Sequence, residues 1–574
     1  MKSSTEQIEN TQLAVSYRNA WNNYQNGVVQ TGFIGWDYVI LTASNEEQAS
    51  SYRLQLQYRF DNGFLPPKSK YIVIPDPGGK RVGSGGATLH VLNSFVDLVK
   101  SGSENPFNGK RILVIHCGGD SKRIPQYSVC GKIFSPVPRI LPNGYPSSLF
   151  DELLILMSYL PSKINDGMLV LSGDILFLFD AQQVDASFGD AAAISVKGSV
   201  QTGRNHGVFF SRDNKNVTAF LHKKSEAYLR ANDVLDKSGQ IDLDTGAVLL
   251  SCKVLNSLYA LICTDNEPDI EKRAQFINED VRLNFYGDFL YPLAADSRLE
   301  QYYKENSELT GSKALHDCRT AIWESLHPYS LELIRVSPSK FFHFGTTKEL
   351  LKMVTKEIGS FGYIGWERHI ATNAKKESKY TSIASYISDD AIIADNCYIE
   401  NSYIGRGTKI EEESIVSETA IEGGYIPSHV VVHSLKLLDG RFCVRTYGIG
   451  DNSKGTYEQR AAFLKTNLGD FIDKNNIPIN SIWNGDEHSL WEAKLFPVCF
   501  KIVDCLHMNH IIYLMSDYSA SSEDVDRWKN AEKLSLKEGF AQADNNHQLL
   551  WKKHLKNLLY SRESAADTAD LAEQ

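Results

Sequence analysis

RILVIHCGGDSKRIPQYSVCGKIFSPVP, residues 111–138, packs a buried strand, a glycine turn and three cations into one run. Ile112, Leu113, Val114 and Ile115 make an apolar stretch of strand length. Gly118 and Gly119 follow where the backbone must turn and can come close to a ligand. Lys122 and Arg123 come next and, beyond a proline turn, Lys132. Backbone amides on a glycine turn and positive side chains are what a polyphosphate needs. Gly118, Gly119, Ser121, Lys122, Arg123 and Lys132 therefore read as its cradle.

Upstream, Tyr17, Trp21 and Tyr24 share one face of a polar helical pattern over residues 1–35, which suits packing. WDYVILTAS (36–44) reads as a strand, and the helix after it starts at Asn45 or Ser44 as cap. KYIVIPDP is the next strand, and it leads through GGKRVGSGGAT into a helix. A lone glycine loop of this kind is more often a bare strand-to-helix turn. Here Lys80 and Arg81 precede it and a second loop follows, so Gly83, Ser84, Gly85, Gly86 and Thr88 are a second candidate phosphate turn at a helix N-terminus.

Downstream, GMLVLSGDILFLFD places Asp174 at the carboxyl end of a strand, where open α/β sheets put their ligands. Beside a triphosphate it is the natural Mg²⁺ ligand, because magnesium takes one or two carboxylates and fills its other positions with phosphate oxygens and water. Asp180 reads as a cap or turn residue. Strands follow around His206 and Gly207, around Lys223, and in LDTGAVLL, which carries Asp244 and Gly246. YGDFLYPL and KFFHFGTTKELLKMV, with His343, close an α/β region built on a mostly parallel sheet.

The period changes near residue 385. Large residues recur every sixth position at Ile392, Tyr398, Ile404, Ile410 and Val416, with small ones at Asn396, Ser402, Thr408, Ser414 and Ala420. Such hexads mark a parallel β-helix, here covering fewer than two coils and serving packing or assembly. Beyond it, residues 457–473 read as a helix, and the aromatic run with His488, Trp491 and Lys494 reads as core without chemistry. The expected domains are an α/β domain over 1–380, a short parallel β-helix over 381–440, and a C-terminal α+β region over 441–574 ending in a frayed acidic tail.

The 574 residues carry a net charge of -10, which argues against a broad nucleic-acid surface. Nine scattered cysteines without a CxxC pair read as reduced thiols. Neither a signal peptide nor an apolar stretch of membrane-spanning length stands out, so a cytoplasmic protein without a membrane partner is expected.

These strings together resemble the sugar nucleotidyltransferases. GGDSKRIP…GK stands at their glycine-rich signature, LSGD at their metal aspartate, LHKK at their sugar-phosphate lysine, LDTGAVLL at their sugar-contacting strand and FHFGTTKEL at their closing turn. WDYVILTAS, DPGGKRVGSGGATL, HCGGDSKRIP, NHGVFF, YGDFL, HFGTTKEL and SLWEAKLFPV are similar to the fucose-1-phosphate guanylyltransferase family in particular. The resemblance implies a Rossmann-like nucleotidyltransferase sheet followed by a left-handed β-helix, a Mg²⁺ cofactor, and GTP and fucose 1-phosphate as substrates. It also implies roles. Asp174 holds the metal, Lys122 and Arg123 the triphosphate, and Lys132 the charge at the α-phosphate. Lys223 holds the sugar phosphate, His206, Gly207, Asp244 and Gly246 line the sugar and base pocket, and His343 goes with the sugar phosphate, either binding phosphate or packing. His343 stands where many relatives have a second metal aspartate, which leaves the metal count open. The β-helix suggests a homodimer. No sugar-kinase phosphate loop follows the β-helix, which fits a free-standing pyrophosphorylase.

Overall fold

A computed structural model describes residues 4–30, 32–99, 105–141, 143–203, 206–222, 224–265, 267–305 and 312–560. The chain forms two compact units, each made of two stretches. The first is Met1–Gly119 with Phe150–His343, and the second is Asp120–Leu149 with Phe344–Gln574. This division differs from the expected three consecutive domains. Residues 120–149 leave the α/β region and join the coiled strands and the C-terminal region.

In the first unit a nine-stranded sheet runs in the order Ala219–His222, Gly207–Phe210, Gln240–Leu250, Gly167–Ser172, Arg111–His116, Tyr38–Ala43, Lys70–Pro75, with Ala191–Ser199 and Leu331–Arg335 alongside. The last four of that order pair in parallel. Gln240–Leu250 turns the sheet antiparallel on its other flank. Ile112, Leu113, Val114 and Ile115 are fully buried, as a strand covered on both faces requires. From Tyr38–Ala43 the chain goes out to Lys70–Pro75 and returns to Arg111–His116 on the other side. That reversal is a topological switch point, and Gly118 and Gly119 lie at its carboxyl end. Asn45 caps the Glu46–Asp61 helix by accepting from Gln48 N at 2.8 Å. Asp180 caps a short turn by accepting from Gln182 N at 3.0 Å. Tyr17, Trp21 and Tyr24 of the Ser4–Val29 helix are buried, and the Tyr24 hydroxyl donates to Phe64 O at 2.8 Å.

In the second unit, three parallel ladders climb side by side. Thr381 pairs with Tyr398 and Tyr398 with Ile415, a step of seventeen residues, before Ile415 pairs with Val431. The other two ladders each hold three strands. The coil is thus longer than the hexads suggested and one residue short of three full hexads per turn. That slip puts Ile392 outside at 63% exposure and turns Tyr398, though buried, to the outer face with Ile415. Ile399 takes the inward place beside Val416, while Ile404, Ile410 and Val416 stay inside. Ser402, Thr408 and Ser414 occupy buried corners. The Val430–Lys436 strand then pairs antiparallel with Phe442–Gly448, which carries the sheet on to Phe496–Cys499 and Lys533–Leu534.

The helix expected over 457–473 forms only as Leu468–Lys474. Before it, Ala462–Phe463 and Thr466–Asn467 make a tight hairpin. The half-buried carboxylate of Asp451 accepts from Leu464 N at 3.0 Å, and Leu464 adopts φ 51°, which stops a helix there. All nine cysteines are free thiols. Among the described residues no helix is long and apolar enough to cross a membrane.

Candidate functional site

At the strand ends of the first unit, Thr42 Oγ1 accepts from the amides of Cys117 at 3.2 Å and Gly118 at 3.3 Å. Gln48 Nε2 donates to Gly119 O at 3.0 Å, and the Tyr52 hydroxyl to Cys117 O at 2.8 Å. The first half of the signature loop is therefore fixed by the strand and helix before it. Gly118 and Gly119 are both exposed, and Gly119 has φ 123°. The Gly118 amide, expected to face phosphate, is shared with Thr42.

Asp174 follows the Gly167–Ser172 strand. Its Oδ1 accepts from Ser172 Oγ at 2.7 Å, and its Oδ2 lies 3.5 Å from His343 Nε2. The His343 ring meets the His206 ring edge to face with centroids 5.6 Å apart, and His206 also packs on Phe341. Antiparallel pairing of Ser339–His343 with Ile175–Phe179 sets His343 opposite Ile175, next to Asp174. Among the described residues no group of three or more His, Cys, Asp or Glu could hold a metal. A single carboxylate suits a magnesium ion that arrives on a triphosphate and draws its other ligands from phosphate and water.

Asp244 and Gly246 lie where Gln240–Leu250 slips register against its neighbour. Gly246 takes φ 74°, and its amide donates to Asp244 Oδ1 at 2.8 Å. A Cβ there would come 3.1 Å from both Ser172 Cβ and the Tyr286 hydroxyl. This bulge re-aims the strand beside Asp174. A Cβ on Gly207 would lie 2.9 Å from Asp244 Cβ, so Gly207 belongs to the same cluster. Sequence reasoning missed two members, Ser172 and Tyr286. The Tyr286 hydroxyl donates to Gly246 O at 3.1 Å from a π-helix, Phe285–Leu290, and π turns concentrate at functional sites. The signal in the sequence is the YGDFL string, whose pattern alone marks only the closing of the α/β region. Lys223 lies outside the described residues.

The first glycine loop has a different source from the one expected. Gly83 has φ 78°, and a Cβ there would lie 2.3 Å from Leu283 O; on Gly85 it would lie 2.9 Å from Leu283 Cβ. The Gly85 amide donates to Leu283 O at 2.8 Å, and Ser84 Oγ accepts from Phe285 N at 2.9 Å. Thr88 is fully buried. Its hydroxyl donates to Ser84 O at 2.9 Å and, with that proton spent, accepts from His116 Nε2 at 3.0 Å. The glycines seat the segment leading into the π-helix, and Gly86 packs on Val82. Gly83→Ala combines left-handed backbone with overpacking and should cost about 2 kcal/mol or more, read as a lowered urea midpoint.

The cations of the signature belong to the second unit. Lys122 is half-buried, with Nζ 5.6 Å from the Trp491 ring centroid and 3.8 Å from Asp120 Oδ2, and its carbonyl accepts from Ser453 Oγ. Trp491, expected to be core alone, is buried and also forms this floor. Ser121 takes φ 54°. The Arg123 side chain is exposed while its carbonyl accepts from Thr347 N at 3.1 Å and Thr347 Oγ1 at 3.2 Å. Lys132 Nζ donates to Phe344 O at 3.3 Å.

A profile of the fucose pyrophosphorylase domain matches residues 104–501. The chain belongs to the fucose pyrophosphorylase family. It is similar to the fucose-1-phosphate guanylyltransferase of Mus musculus, 26% identical over 93% of this chain and 95% of that one. The Homo sapiens protein of the same name is 27% identical over 82% of each chain. The bifunctional fucokinase/GDP-fucose pyrophosphorylase of Arabidopsis thaliana is 26% identical over 93% of this chain and 53% of its own length. The family span takes in the signature loop, Asp174, Asp244 and His343, and leaves out the first glycine loop.

In this member of the fucose pyrophosphorylase family, burial pushes the Asp244 carboxyl from 3.8 up to about 6, against the Gly246 amide that lowers it. As pH rises, the unfolded chain loses this proton first, so folding stability falls between about pH 4 and pH 6. The fall across that window amounts to about 3 kcal/mol. Urea titrations from pH 4 to 7 should show it in the parent protein and a flatter profile in Asp244→Asn. Parallel profiles would refute it.

Proposed function

We propose that this chain transfers a guanylyl group from GTP to β-L-fucose 1-phosphate, giving GDP-L-fucose and pyrophosphate. The observation that carries the reading is the family match over residues 104–501, joined to relatives of that activity aligned over most of both chains. A phosphate oxygen of fucose 1-phosphate forms a bond to the α-phosphorus of GTP, and the bond from that phosphorus to the bridging oxygen breaks as pyrophosphate leaves. The attacking oxygen is already ionised near neutrality, so no general base is required. Positioning and neutralisation of charge are the work left to the protein.

Asp174, oriented by Ser172 and neighboured by His343, would hold Mg²⁺. When bound, the ion neutralises the triphosphate and polarises its phosphorus–oxygen bonds. Lys122 and Arg123 neutralise the triphosphate and the departing pyrophosphate, with Gly118, Gly119 and Ser121 giving the close turn. Lys132 meets the charge growing on the α-phosphate. His206, Gly207, Asp244 and Gly246, with Tyr286, line the sugar and base pocket, and Lys223 holds the sugar phosphate. Gly83, Ser84, Gly85, Gly86 and Thr88 support that pocket through residues 283–285. The three parallel ladders are read as a short left-handed β-helix, and a cytoplasmic homodimer goes with the reading.

The test is a panel of GTP, ATP, UTP and CTP against several sugar 1-phosphates, with pyrophosphate release measured with and without Mg²⁺. Release confined to GTP with fucose 1-phosphate and dependent on the metal is expected. Preference for another pair would reassign the substrate, and no release under any condition would defeat the reading.

A further inference from the structure

The part of the signature loop between its cations has little structure of its own. Ile124 N donates to Ser121 O, Tyr127 N to Ile124 O and Ser128 N to Pro125 O, which amounts to single tight turns. Yet residues 124–130 are all buried. What holds them lies in the coiled strands and the strand after them. Arg445 Nη2 donates to Pro125 O at 2.9 Å and Arg445 Nη1 to Ser128 Oγ at 3.1 Å. The Tyr447 hydroxyl donates to Gln126 Oε1 at 2.8 Å. The Tyr127 hydroxyl donates to Glu400 Oε2 at 2.8 Å, and that carboxylate also accepts from Tyr398 at 2.7 Å and Ser417 at 2.7 Å. Four consecutive loop residues are thus gripped one by one.

The chemistry of the grip is costly. Arg445 and Glu400 are fully buried. Glu400 bonds Tyr127 of the loop and neighbouring hydroxyls, and Arg445 bonds through Nη1 and Nη2 while its Nε has no hydrogen-bond partner among the described residues. The guanidinium reaches the loop carbonyl, the loop hydroxyl and His433 Nδ1 at 2.7 Å. Burying an ion costs several kcal/mol, and well-packed apolar side chains of similar volume commonly stabilise a core as well or better. A buried polar network has a directional effect that apolar packing lacks, because hydrogen bonds fix where the bonded atoms lie.

We propose that Arg445 is a positioning residue for the guanylyl transfer and that the coiled strands serve as the template on which loop 122–132 is set. The inference rests on the proposed function for what the loop does. It departs from the packing or assembly role that the hexad pattern suggested. Through Pro125 and Ser128, Arg445 fixes the backbone between Arg123 and Lys132, and so the spacing at which those cations are presented.

The test compares Arg445→Met, Arg445→Lys and Ile410→Ala in the full chain. Ile410 is buried in the same coil and has no part in the grip. In Arg445→Met, amide exchange over residues 122–134 should rise by about tenfold or more. Its kcat should fall about a hundredfold, as for a displaced catalytic group. The KM for fucose 1-phosphate should stay within about twofold. Arg445→Lys, which keeps a cation able to reach Pro125 O, should regain part of both losses. Ile410→Ala should lower the melting temperature with loop exchange and kcat unchanged. If Arg445→Met does not fold, Tyr447→Phe, which removes one hydroxyl, should shift loop exchange and kcat the same way to a smaller extent.

Unchanged loop exchange in the Arg445 variants, or an equal loss of kcat in Ile410→Ala, overturns the proposal. If the parent chain releases no pyrophosphate from GTP and fucose 1-phosphate, the functional reading has failed. Loop exchange alone then decides whether Arg445 sets the loop.

Discussion

Lys132→Ala is expected to lower kcat for guanylyl transfer by about 10²–10³-fold, the usual loss when one preorganised charge contact to a transition state is removed. The lysine is held from below. Gly131 takes φ 77°, the 3-10 turn Lys132–Phe134 follows, and Ile133 and Phe134 are buried anchors. The backbone is therefore fixed while Nζ, 3.3 Å from Phe344 O, belongs to a half-buried side chain. Fixing the charge before the substrate arrives avoids reorganisation during the reaction, and so its loss falls on kcat more than on KM. Lys132→Arg should recover only part, since a planar fork does not place its charge where an ammonium does. Stopped-time pyrophosphate release at saturating GTP and fucose 1-phosphate, with a urea melt as control, reads the effect. Turnover equal to the parent would remove Lys132 from the mechanism.

Asp288→Ala should cost the first unit about 3–5 kcal/mol, the penalty for stripping a buried charge of its partner. Asp288 and Arg319 are each 2% exposed and meet at 2.9 Å. Around them the wiring is dense. Asp288 Oδ2 accepts from Asn284 N, Arg319 Nη1 donates to Tyr302 O, and the Tyr302 hydroxyl donates to Asp288 O. The pair locks the π-helix that carries Tyr286, so pocket geometry should suffer with stability. Replacing both, as Asp288→Ala with Arg319→Met, should cost less than Asp288→Ala alone, because no unpaired ion remains. Urea unfolding of the two variants decides; a double variant less stable than the single would show that the pair contributes net stability.

Much of this was readable from local pattern. The four apolar residues before His116 and the aspartate behind LSG announced a strand and a strand end, because burial on both faces and a polar tip leave a mark within a few residues. Asn45 was legible as a cap for the same reason. The glycines at 83 and 85 were ambiguous in kind. A ligand and a neighbouring backbone make the same demand for a missing Cβ, and here Leu283 makes it from far along the chain. The hexads marked the repeat but not its seventeen-residue step, since dropping one corner residue keeps Ile404, Ile410 and Val416 inward and turns Ile392 and Tyr398 to the outer face. Residues 457–473 look helical on propensity, and the Asp451 carboxylate overrides it. The grip of Arg445, Tyr447 and Glu400 on the loop left no trace in sequence. Polar residues in strands read as solvent-facing until the fold shows what they bond.

The attachment of residues 120–149 to the later unit has a consequence for synthesis. Pro125 waits for a partner 320 positions further along the chain. At a typical elongation rate of about 5–20 residues per second, the loop stays ungripped for roughly 16–64 s after it is made. The ribosome thus releases the loop, with its tyrosine, isoleucine and cysteine side chains, well before their burial site exists. A nascent chain stalled before residue 445 should expose this segment to protease, and one stalled well past 500 should protect it.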